Sequence, residues 1–239
     1  MNINYTSNII EIFFLLLSWG IVAYLAYRIQ KKQTEKIKVW KIFVIIYIGL
    51  FCFSFNYTVD TELIRIPLLP LGVWILYFIW RKDQTKWEKY RRFAWLGFWS
   101  NLIFLTLGTV AMFVYPVMYA NDNPSTFISK LDDPTILSIY MNVEEVELDE
   151  QNFLATLAKM KPAHIYSDKW YREAFEGYEN PDKQERFPYL LEGAKGKWGS
   201  GVNSAIYIEK DGKGIYVATS KGHYYFRSEV SLLVGEKNE

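Results

Sequence analysis

The chain has 239 residues, 51% of them hydrophobic and 18% aromatic, which is too rich for an ordinary soluble domain. Its formal net charge of +1 conceals a division: residues 1–120 carry 13 Lys or Arg against 6 Asp or Glu, and residues 121–239 carry 14 against 20. The negative second half argues against nucleic acid as a partner, and Cys52, the only cysteine, excludes an internal disulfide or a thiolate metal cluster.

A membrane-spanning helix needs about 20 mostly apolar residues. Four stretches approach that length, 9–27, 39–55, 63–80 and 93–119, so the first 120 residues read as a four-span transmembrane domain. The first stretch is preceded by the uncharged MNINYTSN and carries Glu11. A secretory signal begins with a basic region and ends in a small-residue cleavage site, so this stretch reads as a retained span.

The connections set the orientation. Segments 28–41 (RIQKKQTEKIKVWK) and 81–92 (RKDQTKWEKYRR) hold 12 cations, whereas 56–62 (NYTVDTE) holds none, with Arg65 just beyond it. Short loops rich in Lys and Arg stay in the cytoplasm. Both basic loops are therefore expected inside the cell, with the N-terminus and residues 121–239 outside. Trp19, Trp40, Trp74, Trp80, Trp95 and Trp99 lie toward span ends, where amphipathic rings favour the headgroup level.

Within the spans the polar candidates are few. Glu11 sits near the outer end of the first, and Asn101 in the fourth fits an interhelical hydrogen bond better than a substrate site. These two residues are the membrane sites to watch, and they carry the alternative reading as a small transporter or transport accessory.

Residues 121–239 suffice for one small domain. Segment 121–134 reads as a polar linker, and the later part of 135–148 as a strand. Segment 148–162 reads as a helix capped by Asp149 and stopped by Pro162. A second helix is expected over 167–177 with Ser167 as cap, and a short strand over 163–166 between the two. The last third, NSAIYIEKDGKGIYVATSKGHYYFRS, has three β-rich runs separated by KDGKG and SKG, the punctuation of hairpins. An antiparallel β-meander over 203–227 follows, with Ile206 and Ile208 on one face and Ala205 and Tyr207 on the other. The fold class is therefore membrane α-helical with a small extracytoplasmic α+β domain.

The glycine-rich GAKGKWGSG fails the phosphate-loop pattern, because Lys197 is followed by Trp198 rather than Ser or Thr. It reads as a loop before the meander. The stretch FPYLLEGAKGKWGSG, with Phe187, Tyr189 and Trp198, and Tyr207 on the first meander strand, forms the expected ligand or partner surface, since Tyr and Trp bring large contact area at small entropic cost.

The only histidines are His164 and His223, and with Asp168 they compose an alternative as an envelope enzyme. No catalytic residue, bound metal or cofactor is expected. The expected partners are the lipid bilayer and an envelope protein or peptide. The expected function is that of a multi-pass, bacterial-type cell membrane protein that displays a non-catalytic domain to sense, bind or regulate an envelope component.

Overall fold

The structure, a computed structural model, describes residues 8–59, 62–139, 146, 148–165 and 186–233. The chain divides into two compact units: Ile10–Val114, and Met1–Ile9 together with Tyr115–Glu239. The expected helix over 167–177, Asp168 and most of the strand expected within 135–148 lie outside the described residues.

Most of the first unit is helical. α1 is Ile9–Lys31 and α4 is Gln84–Met118, 23 and 35 residues. Both are long and apolar enough to cross a membrane, and only 17% and 6% of their most apolar stretches is buried, which distinguishes them from core helices of a soluble protein. Glu11 lies exposed in the first turn of α1, where an acid suits the helix dipole. At 35 residues α4 runs about 50 Å. It therefore takes in most of the basic segment expected as a connection: from Gln84 onward that segment is helical, with Asp83 accepting the Lys86 N–H at 3.1 Å.

The two middle spans require correction. α2 is Val39–Gly49 and α3 is Leu71–Trp80, 11 and 10 residues, and each reaches only about half of a hydrocarbon core about 30 Å thick. Between them β1 (Phe53–Val59) and β2 (Glu62–Leu69) pair as an antiparallel hairpin. The residues explain the switch. FSFNYTV alternates aromatic and polar side chains with the period of a strand. Pro67 and Pro70 lack the N–H that a helix through this stretch would need, and Pro70 sits where α3 starts.

Close backbone approach holds α2 to α4. A Cβ on Gly97 would lie 2.3 Å from the Ile46 carbonyl oxygen, and one on Gly49 would lie 2.4 Å from that of Ala94. Only glycine permits such a crossing, the mode by which helices pack when lipid removes the hydrophobic drive between them. One helical turn on, the Asn101 amide donates to the Leu50 carbonyl at 3.1 Å, satisfying an orphan acceptor at the end of α2.

The second unit is built on a six-stranded antiparallel sheet. Its strands are β3 (Lys130–Ser138), β4 (Lys161–Pro162), β5 (Tyr189–Lys195), β6 (Ser204–Ile208), β7 (Gly214–Thr219) and β8 (His223–Arg227), in the order β3-β5-β6-β7-β8-β4. The expected meander is β6, β7 and β8. Two further corrections follow. β5 occupies part of the expected loop and lies between β3 and β6, and β3 begins inside the expected linker. The edge strand β3 is interrupted between Leu131 and Thr135, where Asp133 has φ 53° and Pro134 follows. Such a break blunts pairing with other chains.

α5, Glu150–Leu157, begins as its sequence dictates: the Asp149 carboxylate accepts the N–H groups of Gln151 and Asn152 at 3.0 and 3.3 Å. Its Phe153 and Leu157, with Met160 beyond it, join Ile206, Ile208, Ile215, Val217 and Phe226 in one buried core. These are the alternate residues of β6, β7 and β8 that point to one face. Short β4, placed just before the expected 163–166, pairs with β8, and the Ala163 N–H donates to the Tyr225 carbonyl at 2.9 Å.

Candidate functional site

The sheet face opposite the core carries a row of tyrosines. In register, Tyr207 of β6 opposes Tyr216 of β7, and Tyr216 opposes Tyr225 of β8. Phe187, just before β5, adds its ring 5.5 Å from that of Tyr216 and 6.0 Å from that of Tyr225. His223 stacks on Tyr216 with ring centroids 5.6 Å apart and planes 12° from parallel. Cross-strand aromatic neighbours of this kind stabilise a sheet, and here the outward share of the row is carried by His223, Tyr207 and Tyr216. His223 is exposed, Tyr207 and Tyr216 are half-buried, and Phe187 and Tyr225 are buried.

A charged network borders this face. Glu209, one alternation beyond Tyr207, is buried with 7% of its surface exposed. It accepts from Arg186 Nε at 2.7 Å, from the Tyr225 hydroxyl at 2.8 Å and from Arg227 Nη1. Arg227 also donates to Asp211 at 2.5 Å, and Arg186 lies over the Phe187 and Tyr225 rings at 5.5 and 5.4 Å. A buried carboxylate is tolerated because two guanidiniums and a phenol donate to it.

The electrostatics follow from that geometry. The hydrogen bond with the Tyr225 hydroxyl, reinforced by the charges of Glu209 and Asp211, holds Arg227 well above the ordinary guanidinium range. Burial pushes the Tyr225 and Tyr216 phenols up. For Arg186, burial opposes its charge and the bonds to Glu209 and Tyr225 overcome it.

Beside the tyrosine row lies a cavity of about 300 Å³ lined by Ala163, His164, Ile165, Tyr216, His223, Tyr224 and Tyr225. Both histidines of the chain therefore face one space, brought together because the segment after β4 runs along β8. Among the described residues no group of three or more His, Cys, Asp and Glu is placed to hold a metal ion.

The residues expected to form one surface are dispersed. Phe187 and Tyr207 stand on the aromatic face, whereas Tyr189 lies in the core with 3% exposure, as its place within β5 requires. Trp198 stands apart, 82% exposed, in the loop after β5. That loop is pinned: Lys197 N–H donates to Thr126 O at 3.0 Å, Ile9 N–H to Gly199 O at 2.9 Å, and the Tyr119 and Tyr115 hydroxyls to Trp198 O and Ser200 O at 3.1 Å each. Gly199 has φ 77°, and a Cβ there would lie 2.8 Å from Ile9 Cγ2, so the turn requires glycine.

Arg186, Glu209 and Arg227 carry no expectation from the sequence. A signal is present for two of them: Tyr207-x-Glu209 and Tyr225-x-Arg227 keep the period of two that sets the face of a strand, with opposite charges at one end of the meander. The chain matches no protein-family description, no curated protein and no solved structure.

Proposed function

We propose that the chain is a multi-pass plasma membrane protein of bacterial type. It displays a non-catalytic extracytoplasmic domain that binds an envelope protein or peptide, with the basic segments 28–41 and 81–92 in the cytoplasm. The bilayer is the solvent for the apolar helices. α2 and α3 either continue across the membrane with the strands or turn back within it, and both routes return the chain to the same side. The two basic segments therefore share one side whatever the number of spans. The single observation that carries the binding role is the aromatic face of Phe187, Tyr207, Tyr216 and His223 beside a cavity, on a sheet whose other face forms the core.

A site-specific photo-crosslinking amino acid at His223 tests this in intact cells. The expected result is a discrete adduct with an envelope polypeptide, absent when the crosslinker stands at exposed Lys210 and lost on Tyr216→Ala. Equal adducts from both positions, or none from His223, would remove the reading.

The shared cavity of His164 and His223 favours one rival, an envelope enzyme that uses an imidazole as acid or base. Under that rival His164→Ala and His223→Ala each abolish function while the domain stays folded. Under the binding reading, Tyr216→Ala costs more than His164→Ala.

A further inference from the structure

A groove of about 480 Å³ runs between α1 and α4, lined by Ile29 of α1 and by Arg91, Arg92, Trp95, Leu96 and Trp99 of α4. Arg91, Trp95 and Trp99 succeed one another at i, i+4 and i+8, so they stack along one side of the helix. Two guanidiniums therefore stand at one end of the groove and two indoles at the other.

Two of the acids around this end are already engaged with lysines: Asp83 pairs with Lys86 at 2.9 Å and Glu35 with Lys89 at 2.5 Å. Glu88 lies one turn before the arginines and pairs with neither. Among the described residues Arg91 and Arg92 have no ion-pair partner, and both are exposed. The apolar end is accessible too: Trp95 and Trp99 are 40% and 53% exposed, above a Leu96 at 7%.

We infer that this groove binds one anionic glycerophospholipid, an inference that rests on the membrane reading above. Guanidinium forks match phosphate oxygens bidentately, and the indoles and Leu96 offer the apolar wall that an acyl chain needs. Two unpaired cations select against a zwitterionic headgroup, whose own ammonium they repel. The same groove discriminates against free phosphate, which leaves the apolar end unused. Basic pockets at the cytoplasmic ends of membrane helices suit headgroups of this kind.

Native mass spectrometry of the full chain in neutral detergent, with phosphatidylglycerol or phosphatidylcholine of equal chain length, tests the assignment. The expected result is one bound phosphatidylglycerol at several-fold higher occupancy than phosphatidylcholine. That preference disappears in Arg91→Gln/Arg92→Gln, whereas Trp95→Ala lowers the occupancy of both lipids and keeps the preference. Inorganic phosphate in excess leaves the occupancy unchanged. Equal occupancy of the two lipids, or a preference that survives the double substitution, overturns the inference while leaving the membrane reading intact. Competition by inorganic phosphate reassigns the groove to small anions. A chain that stays folded and soluble without detergent overturns both readings.

Discussion

The two units differ in how much apolar surface each leaves outside its buried cluster. In the sheet unit Phe153, Ile208, Ile215 and Val217 are 0% exposed, whereas in the helical unit Phe13, Leu16, Tyr47 and Phe113 are 60%, 66%, 67% and 70% exposed. A water-soluble protein rarely presents so much contiguous apolar surface. The sheet unit is stabilised by transfer of apolar area out of water. The helical unit buries a smaller cluster around Val22, Val73, Leu76 and Phe93, and adds to it the close glycine contacts of Gly49 and Gly97 and the Asn101 amide at the end of α2. The difference teaches that exposure of an apolar side chain has to be judged unit by unit, and under the membrane reading proposed above the helical unit is judged against lipid.

That contrast can be broken from either side. The largest effect is expected in the sheet unit: Phe153→Ala removes a fully buried ring from beneath α5 and lowers stability by about 3–5 kcal/mol, measured by denaturant unfolding followed by near-ultraviolet circular dichroism. In the helical unit the exposed Leu16→Arg is expected to cost about 3 kcal/mol of membrane insertion. A surface position facing water would accept the same change within about 0.5 kcal/mol. Cell fractionation reads the difference: the variant leaves the membrane fraction if lipid faces Leu16 and stays unchanged if water does.

The buried network sharpens the contrast further. Glu209→Ala deprives Tyr225 and two arginines of their shared acceptor and is expected to cost about 1–3 kcal/mol, the upper part discounted because both guanidiniums keep some access to water. Alkaline pH attacks the same place. Tyr225 and Tyr216 have phenol pKa values raised above the usual 10.0 by burial. The unfolded chain therefore loses those protons first, so their contribution is complete below pH 10 and declines as pH rises through the folded values. Absorbance titration of tyrosinate should show two phenols ionising late, and Phe187→Ala should bring them closer to the rest. The smallest effect is local: Asp149→Ala removes the cap of α5 and costs about 1 kcal/mol.

What the sequence made legible depended on local rules. The Asp149 cap and the KDGKG and SKG turns gave α5 and the meander, because capping and hairpin chemistry act over a few residues. The β1–β2 hairpin was concealed because an apolar run satisfies a spanning helix and a strand equally, and only the prolines and the alternation of FSFNYTV separate them. β5 was concealed by glycine. Gly193 takes φ 78° opposite the interruption in β3, a need set by a strand about sixty residues away in sequence. The candidate site was legible as faces but not as a cluster, since joining His164 to His223, or Arg186 to Glu209, requires the strand order. Tyr189 shows the same limit: its aromatic ring suited a surface, and its position inside β5 committed it to the core.

The topology proposed above puts the sheet domain and the basic segments on opposite sides of a membrane. The most direct measurement replaces Cys52 with Ala, places a single cysteine at exposed Lys210 or at exposed Lys36, and treats intact cells with a membrane-impermeant thiol reagent. Labelling is expected at position 210 in intact cells and at position 36 only after lysis. Labelling at 36 with protection at 210, or equal labelling at both, would contradict that topology.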